Sequence, residues 1–281
     1  MSDPGDDQAG VPLLEALSDQ NSAPPPTASA KRKREDDAKP ESKRAAKRKK
    51  TKKPKDVDDD AIDIEAGVNH AIGNMDSQLL ADHLAQRTKR FQPDLSMVEA
   101  EDLHISATAI RDTTSWEKAR LTDQLPDFLE RFSAPRRKKK GQKLSDAPKE
   151  TGSPHTLVIA GAGLRAADLT RTLRKFQTKE SMVAKLFAKH IKLKEAIETV
   201  RKVRMGIGVG TPQRIMDLLD DGALSADDLE RIVIDASHID SKKRGLLDMK
   251  ETQIPLVQLL TRASLKERYG TGDGKIELLF Y

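Results

Sequence analysis

The sequence predicts an α/β domain with a mostly parallel sheet. Two short apolar runs, Ile207–Val209 and Ile232–Ile234, are rich in β-branched residues and too short for helices, as is typical of buried parallel strands. Between them, Thr211 is expected to cap a helix that begins at Pro212, where a missing N–H costs nothing. This strand-helix-strand unit places any ligand site at the carboxyl ends of the strands.

A disordered tail is predicted for residues 1–69, before a domain at residues 70–281. The tail alternates acidic and basic blocks and lacks the apolar residues that a packed core needs. Its two basic clusters match a bipartite nuclear localisation signal: Lys31, Arg32, Lys33 and Arg34, then Lys47, Arg48, Lys49 and Lys50. The same clusters would bind nucleic-acid phosphates. The alternative is a solvated linker, but the alternation with acidic blocks favours nuclear targeting.

The composition excludes several classes of protein. The chain has no cysteine, so it forms neither disulfides nor thiolate metal sites. No apolar run approaches the roughly 20 residues of a membrane span, and the N-terminus lacks the pattern of a signal peptide. His190 has no partner at metal-ligand spacing, so no metal site is expected. We therefore expect a soluble intracellular protein that does not bind membranes.

Two helical regions are predicted before the first strand. Residues 72–91 carry one apolar face formed by Ile72, Met75, Leu79, Leu80, Leu84 and Phe91. Residues 113–132 include the only tryptophan and suggest two short helices, broken near Pro126, that lie over the sheet.

Residues 155–176 are predicted to form a strand, a glycine-rich turn and a helix. The buried side of that helix is predicted to hold Leu164, Leu169 and Leu173. Gly161, Gly163 and Ala166 satisfy the G-x-G-x-x-A fingerprint of dinucleotide-binding folds. That fingerprint also expects an acid after the second strand, but the next predicted strand, 182–187, is followed by Lys189 and His190.

A triphosphate-binding loop is not found where this fold would need it. Residues 134–153 are polar and basic and are predicted to form an exposed loop. Gly274 and Lys275 are adjacent, but Ile276 follows where the motif requires Ser or Thr. Without the amide cradle and its Lys, no triphosphate site is expected.

Two motifs carry a resemblance. Residues 210–215, GTPQRI, and 233–238, VIDASH, resemble successive motifs in the first RecA-like domain of DEAD/H-box RNA helicases. In the second motif Asp235 is kept, but Ala236 replaces the Glu that positions water, so Asp235, Ala236, Ser237 and His238 form a degenerate motif. The resemblance implies RNA contacts from Arg165, and the expected RNA-binding set is Arg165, Lys189, Lys192, Thr211 and Arg214.

Four runs together resemble the Cms-type subunit family of the U3-containing 90S pre-ribosomal complex, the small-subunit processome. They are LPDFL at 125–129, LFAKHIKL at 186–193, GTPQRI at 210–215 and VIDASHID at 233–240. The resemblance covers roughly residues 70–281. It implies a single RecA-like three-layer domain and a nucleolar assembly factor for early 40S maturation.

The expected function is therefore non-catalytic. The partners implied are pre-ribosomal RNA and 90S proteins in the nucleus and nucleolus, with no cofactor, metal or small-molecule substrate. Two alternatives stay open: an NAD(P)-dependent oxidoreductase using the GAGLRA turn at 161–166, and a weakly active ATPase or helicase remnant.

Overall fold

The computed structural model describes residues 61–133, 143–188, 191–270 and 274–281. Both basic clusters predicted for nuclear targeting lie outside these residues, as do Lys189 and His190 and the basic part of the predicted loop, residues 134–142.

A five-stranded parallel sheet forms the centre of the fold. In chain order its strands are β3 (Thr156–Ile159), β4 (Met182–Leu186), β5 (Met205–Gly210), β6 (Arg231–Ile234) and β7 (Glu277–Phe280). Their order across the sheet is β4-β5-β3-β6-β7. Two shorter strands, β1 (Ile62–Asp63) and β2 (Val68–Asn69), pair antiparallel before it.

Helices cover the sheet. The α-helices are α1 (Ser77–Phe91), α2 (Met97–Asp102), α3 (Leu125–Ser133), α4 (Gly163–Leu173), α5 (Leu193–Lys202), α6 (Pro212–Asp220), α7 (Lys250–Leu260) and α8 (Ala263–Lys266). Short 3-10 turns lie at His70–Asn74, Ala107–Ala109, Thr122–Gln124 and Arg174–Phe176.

Both faces of the sheet are buried because successive side chains of a strand point to opposite faces. On β3, Leu157 and Ile159 join a core packed by α1, α5, α6 and α7. Val158 joins a second core packed by α3 and α4. The sheet is therefore the middle of three layers, which confirms the predicted α/β class.

Glycines in β5 allow its neighbours to approach closely. A Cβ added at Gly210 would lie 2.2 Å from the carbonyl oxygen of Leu186, and one at Gly208 would lie 2.6 Å from Leu186 Cδ1. Because these glycines have no side chains, Leu186 at the end of β4 packs directly against the backbone of β5.

The predicted strand-helix-strand unit is confirmed. β5 and β6 contain the two apolar runs, and α6 begins at Pro212 with Thr211 at the N-cap. The Thr211 side chain makes no capping hydrogen bond, so Pro212 and the packing of α6 define the helix start.

Two predicted core residues are exposed. Leu164 is 66% exposed and Leu79 is 54% exposed. Leu164 lies in the first turn of α4, where Ala166 and Leu169 face the core instead. On α1 the buried stripe runs through Leu80 and Leu84, and Leu79 falls beside it.

The two predicted short helices meet just before Pro126, at the boundary between Gln124 and Leu125. Residues Leu125–Ser133 form one α-helix, preceded by a single 3-10 turn at Thr122–Gln124. Pro126 lies in the first turn, where backbone N–H groups have no partner within the helix, so the ring interrupts no hydrogen bond.

Residues 61–69 belong to the folded unit, contrary to the predicted boundary at residue 70. The hairpin of β1 and β2 packs against the segment after β6: the amide of Asn69 donates to the Ser237 carbonyl at 2.7 Å, and that of Ile239 to the Gly67 carbonyl at 3.0 Å. Val68 is buried in this contact, and Gly67 adopts the positive φ that the hairpin turn requires. Within the described segments no helix is long and apolar enough to cross a membrane.

His155 is buried at the start of β3. Its Nδ1 lies 2.7 Å from Thr156 Oγ1 and its Nε2 lies 3.0 Å from the Asp146 carbonyl. Burial, and then the charge of Arg231, lower the pKa of His155 from 6.5 to about 4. The imidazole is therefore neutral in the folded protein at pH values where an unfolded chain would protonate it.

Acid should destabilise the protein through this histidine. Between pH 6.5 and about 4 the unfolded state binds more protons than the folded state, so the stability present above pH 6.5 falls as the pH falls. The cost reaches about 3 kcal/mol. Urea unfolding across this range should show a weaker pH dependence for His155→Gln, whereas His70→Gln, at an exposed position, should keep the wild-type slope. An unchanged slope for His155→Gln would contradict the assignment.

Candidate functional site at the carboxyl edge of the sheet

The carboxyl ends of the parallel strands share one edge of the sheet. The turns after β3, β5 and β6 all emerge there, and so does Tyr281 after β7. The residues of the degenerate motif lie in or beside the turns at this edge. So do those predicted RNA-binding residues that the structure describes. This edge is the candidate site, as expected for an α/β domain.

Arg165 and Asp235 form a buried ion pair at this edge. Arg165 Nε lies 2.8 Å from Asp235 Oδ2 and its Nη2 lies 2.9 Å from Oδ1. The side chains are only 10% and 3% exposed. Arg165 also donates to the hydroxyl of Thr122. Both carboxylate oxygens are therefore held by one guanidinium.

The pair keeps Arg165 charged. Burial alone would lower the pKa of Arg165, but the hydrogen bonds and charge of Asp235 raise it above its ordinary value. The guanidinium has two of its nitrogens committed to Asp235 and a third to Thr122. The geometry does not support the predicted RNA contact from this side chain.

The rest of the degenerate motif is fixed by the end of β7. The amides of Ala236 and Ser237 each donate to the Tyr281 carbonyl at 2.7 Å. Ala236 is buried, so the position where a helicase would hold its Glu is enclosed. Ser237 is also buried, and among the described residues its hydroxyl has no hydrogen-bond partner.

His238 lies on the outer side of this motif, bridged to Val68. Burial, and then the charge of Arg165, lower the pKa of His238 below its ordinary value. The ring is therefore neutral at pH 7. Among residues 61–133, 143–188, 191–270 and 274–281, no group of three His, Cys, Asp or Glu side chains is placed to hold a metal ion.

A second part of the edge lies at the ends of β4 and β5. The Arg214 guanidinium is buried and donates to the Ile191 carbonyl at 3.1 and 3.2 Å. The Thr211 amide donates to the Leu186 carbonyl at 3.3 Å. Arg214 thus positions the loop that carries exposed Lys192, and the RNA contact predicted for it stays a prediction.

The predicted site residues therefore fall into two groups. Arg165 joins the Asp235 motif at β6, and Arg214, Thr211 and Lys192 gather at β4 and β5. β3 separates the two groups, so they lie two strand spacings apart, roughly 10 Å. Lys189 lies outside the described residues.

The glycine-rich turn after β3 is packed against another segment. A Cβ on Gly161 would lie 3.4 Å from Leu246 Cδ1, and Leu246 is buried. The same turn leads directly into α4, whose first turn includes Arg165, the partner of Asp235. The surroundings of the predicted fingerprint are thus an apolar contact and an internal ion pair.

Arg120 is a site residue that the sequence does not reveal. Its buried guanidinium donates to the carbonyl of Phe280 at the end of β7, to the Gly73 carbonyl at 3.3 Å and to Thr113 Oγ1 at 2.9 Å. Burial lowers the pKa of Arg120 to about 10, and the charge of Tyr281 partly opposes this. No sequence pattern distinguishes it from surface arginines, because its partners are mostly backbone groups distant in sequence.

Comparisons with known proteins give one family. The sequence profile described as CMS1, U3-containing 90S pre-ribosomal complex subunit, matches residues 25–281. Protein CMS1 of Chaetomium thermophilum is 57% identical over 230 residues, covering 82% of this chain and 90% of that protein. Protein cms1 of Schizosaccharomyces pombe is 30% identical over 202 residues, covering 72% of this chain and 69% of that protein.

Among solved structures, the yeast DEAD-box splicing factor Prp28 is 19% identical with a TM-score of 0.34, covering 45% of this chain and 27% of that one. The family profile spans most of this chain, and the match to the Chaetomium protein covers nearly the whole length of that protein. The chain therefore belongs to the CMS1 family of U3-containing 90S pre-ribosomal complex subunits, which are ribosome biogenesis factors.

Proposed function

We propose that the protein acts in the 90S pre-ribosome as a non-catalytic binding subunit during early 40S maturation. Its partners in this proposal are pre-ribosomal RNA and proteins of the 90S complex. The observation that carries the non-catalytic part is the ion pair at β6: both oxygens of Asp235, the one acid that the degenerate motif retains, are bound by Arg165.

Three features together argue against ATP hydrolysis. The sequence lacks a phosphate loop, Ala236 replaces the acid that would position water, and Asp235 is buried in its pair. A magnesium ion would need to displace Arg165 before reaching the carboxylate, at the cost of leaving a guanidinium unpaired in a buried site. Triphosphate hydrolysis uses a phosphate-binding loop, an acid that holds Mg²⁺ and a residue that positions the attacking water.

The RNA-binding part of the proposal rests on the second group of residues. Lys192 and Lys194 are exposed at the start of α5, Thr211 is half-buried before α6, and Arg214 holds the loop before α5 through Ile191. Flexible lysines on a fixed loop suit contacts with phosphates and carry no base readout. We therefore propose weak, sequence-independent contact with the RNA backbone at this edge.

The tail supplies targeting in this proposal. Its two clusters, residues 31–34 and 47–50, would direct nuclear import and add phosphate contacts. A nuclear and nucleolar location fits membership of a 90S pre-ribosomal subunit family.

Replacing Arg165 should reveal a structural role. Arg165→Ala leaves Asp235 buried without its cation, so we expect a loss of about 3–5 kcal/mol in the free energy of unfolding. Arg171→Ala is the matched control: Arg171 is in the same helix, but its pair with Asp168 is exposed and should contribute less than about 1 kcal/mol. Urea unfolding measures both, and equal stabilities would contradict the assignment.

Purified protein should release no phosphate from ATP above background, with or without RNA. The measurement is steady-state phosphate release in the presence of Mg²⁺. Asp235→Asn, which is nearly isosteric, separates a real activity from contamination. Release by the wild type that disappears in Asp235→Asn would show that the retained acid works and would refute the non-catalytic proposal.

RNA affinity should depend on the lysines at the start of α5. We expect Lys192→Ala combined with Lys194→Ala to weaken single-stranded RNA binding. The slope of log affinity against log salt should fall by about 0.7 for each RNA phosphate that the variant no longer neutralises. Lys275→Ala is a charge-matched control for a single substitution, because Lys275 is exposed before β7 at the opposite edge of the sheet.

Fluorescence anisotropy at several salt concentrations gives both the affinity and its salt slope. An unchanged slope in the double variant, or an equal effect per lysine from Lys275→Ala, would place RNA contact elsewhere.

A further inference from the structure

The short helix α2 places two large apolar side chains in solvent. Met97 is 91% exposed and Val98 is 73% exposed, more than any other large apolar residue that the structure describes. No residue of α2 is buried. Single exposed apolar residues are common on protein surfaces, but two adjacent ones on a helix that buries nothing of its own favour an interaction site.

Helix α2 is anchored at both ends in spite of this exposure. At its start Ser96 and Glu99 form a capping box, in which the Glu99 amide donates to Ser96 Oγ at 3.3 Å and the Ser96 amide donates to Glu99 Oε2 at 2.9 Å. At its end Lys266 of α8 donates to the carbonyl of Asp102 at 2.7 Å. A six-residue helix has little stability of its own, so these bonds hold its exposed side chains in place.

The segment that carries the two apolar residues is acidic. Residues 93–102 contain four acids, Asp94, Glu99, Glu101 and Asp102, and no lysine or arginine. All four acids are exposed, and among the described residues none of their carboxylates makes an ion pair. Lys266 contacts only main-chain carbonyls of α2. The apolar pair is therefore accompanied by four carboxylates that lack a cationic partner.

This charge decides which partner fits the surface. RNA is disfavoured because four carboxylates would repel its phosphates. A second copy of this chain, joined through the same surface, would bring two acidic clusters together. A protein with an apolar pocket bordered by lysine or arginine side chains complements both features, since complementary charge speeds association and selects the partner.

We propose that α2 is a docking helix for a basic protein of the 90S complex. An apolar pocket of that protein receives Met97 and Val98, and lysine or arginine side chains at the rim of the pocket pair with Glu101 and Asp102. The proposal rests on the proposed function as a binding subunit of that complex, but it is independent of the RNA contact at α5. The chain thus has separate surfaces for protein and for RNA.

Binding to 90S pre-ribosomes tests the proposal. The probe is the particle purified from cells that lack the protein, and the purified full chain is titrated onto it and measured by co-sedimentation. An excess of free single-stranded RNA occupies the phosphate-binding lysines, so the binding that remains reports contacts with proteins. We expect the wild type to bind saturably under these conditions.

Replacing the apolar pair separates apolar docking from attraction between charges. Met97→Asp combined with Val98→Asp adds negative charge, so a purely electrostatic association with a basic partner would become stronger. We expect particle binding to weaken at least about tenfold instead. Acids are favourable in the first turn of a helix, so the melting temperature should stay at the wild-type value. Leu79→Asp, at a 54% exposed position in α1, is the matched control and should bind like the wild type.

Charge reversal tests the basic rim of the partner. Glu101→Lys combined with Asp102→Lys should weaken particle binding, and the binding that remains should depend less on salt. Glu99 is left unchanged because it belongs to the capping box. Lys192→Ala combined with Lys194→Ala should leave binding in the presence of competitor RNA unchanged.

Particle binding at the wild-type level by Met97→Asp/Val98→Asp overturns the docking surface and leaves the RNA contact untouched. So does an equal loss from Leu79→Asp. A wild-type dimer that this double variant loses, seen by sedimentation velocity of the protein alone, assigns the surface to a second copy, and weaker binding of free RNA by the double variant assigns it to RNA; each overturns the proposal. A wild type that does not bind the particle, with or without competitor RNA, contradicts the proposed function as well.

Discussion

The burial of both faces of the parallel sheet is the constraint on which the rest of the structure depends. Leu157 and Val158, adjacent on β3, enter different cores, so neither face of the central strands offers room for a ligand. Polar chemistry is confined to the strand ends, where backbone N–H and C=O groups need hydrogen-bond partners other than a neighbouring strand. At the carboxyl edge the protein does this largely with arginine side chains that reach inward.

Three of those arginines hold the edge together. Arg165 joins the start of α4 to the end of β6, Arg214 joins α6 to the loop after β4, and Arg120 joins the 116–120 loop to the end of β7 and to the turn at 70–74. Each guanidinium supplies several donors in a fixed plane, which suits it to capturing carbonyl and carboxylate oxygens from different segments. The guanidinium groups are thereby committed to internal contacts, and contact with partners at this edge is proposed for the exposed lysines around them.

The fold could be predicted further than the site. Strands β5 and β6 and the start of α6 follow from local apolar runs and from Pro212, since those signals act over a few residues. The position of hairpin β1–β2 could not be predicted, because it depends on contacts with the distant residues Ser237 and Ile239. The exposure of Leu164 depends on which side of α4 packs on the core, where Ala166 and Leu169 are buried instead. The internal partners of Arg165 and Arg214 could not be predicted for the same reason as the hairpin position, and the RNA contacts predicted for these arginines stay predictions. A motif indicates which residue type stands at a position, but whether its side chain turns outward is decided by Asp235 or by a carbonyl far along the chain.

The distribution of charge along the edge follows from these pairings. Asp235 and Arg165 neutralise each other, so the retained acid contributes little negative field to its surroundings. Arg120 makes no ion pair with a carboxylate among the described residues, and Lys192 stands in solvent. A helicase-type site uses an acid that is free to hold a cation beside a triphosphate. The buried pair with Arg165 therefore takes up both oxygens of that acid, and a cation reaches the carboxylate only by displacing the guanidinium.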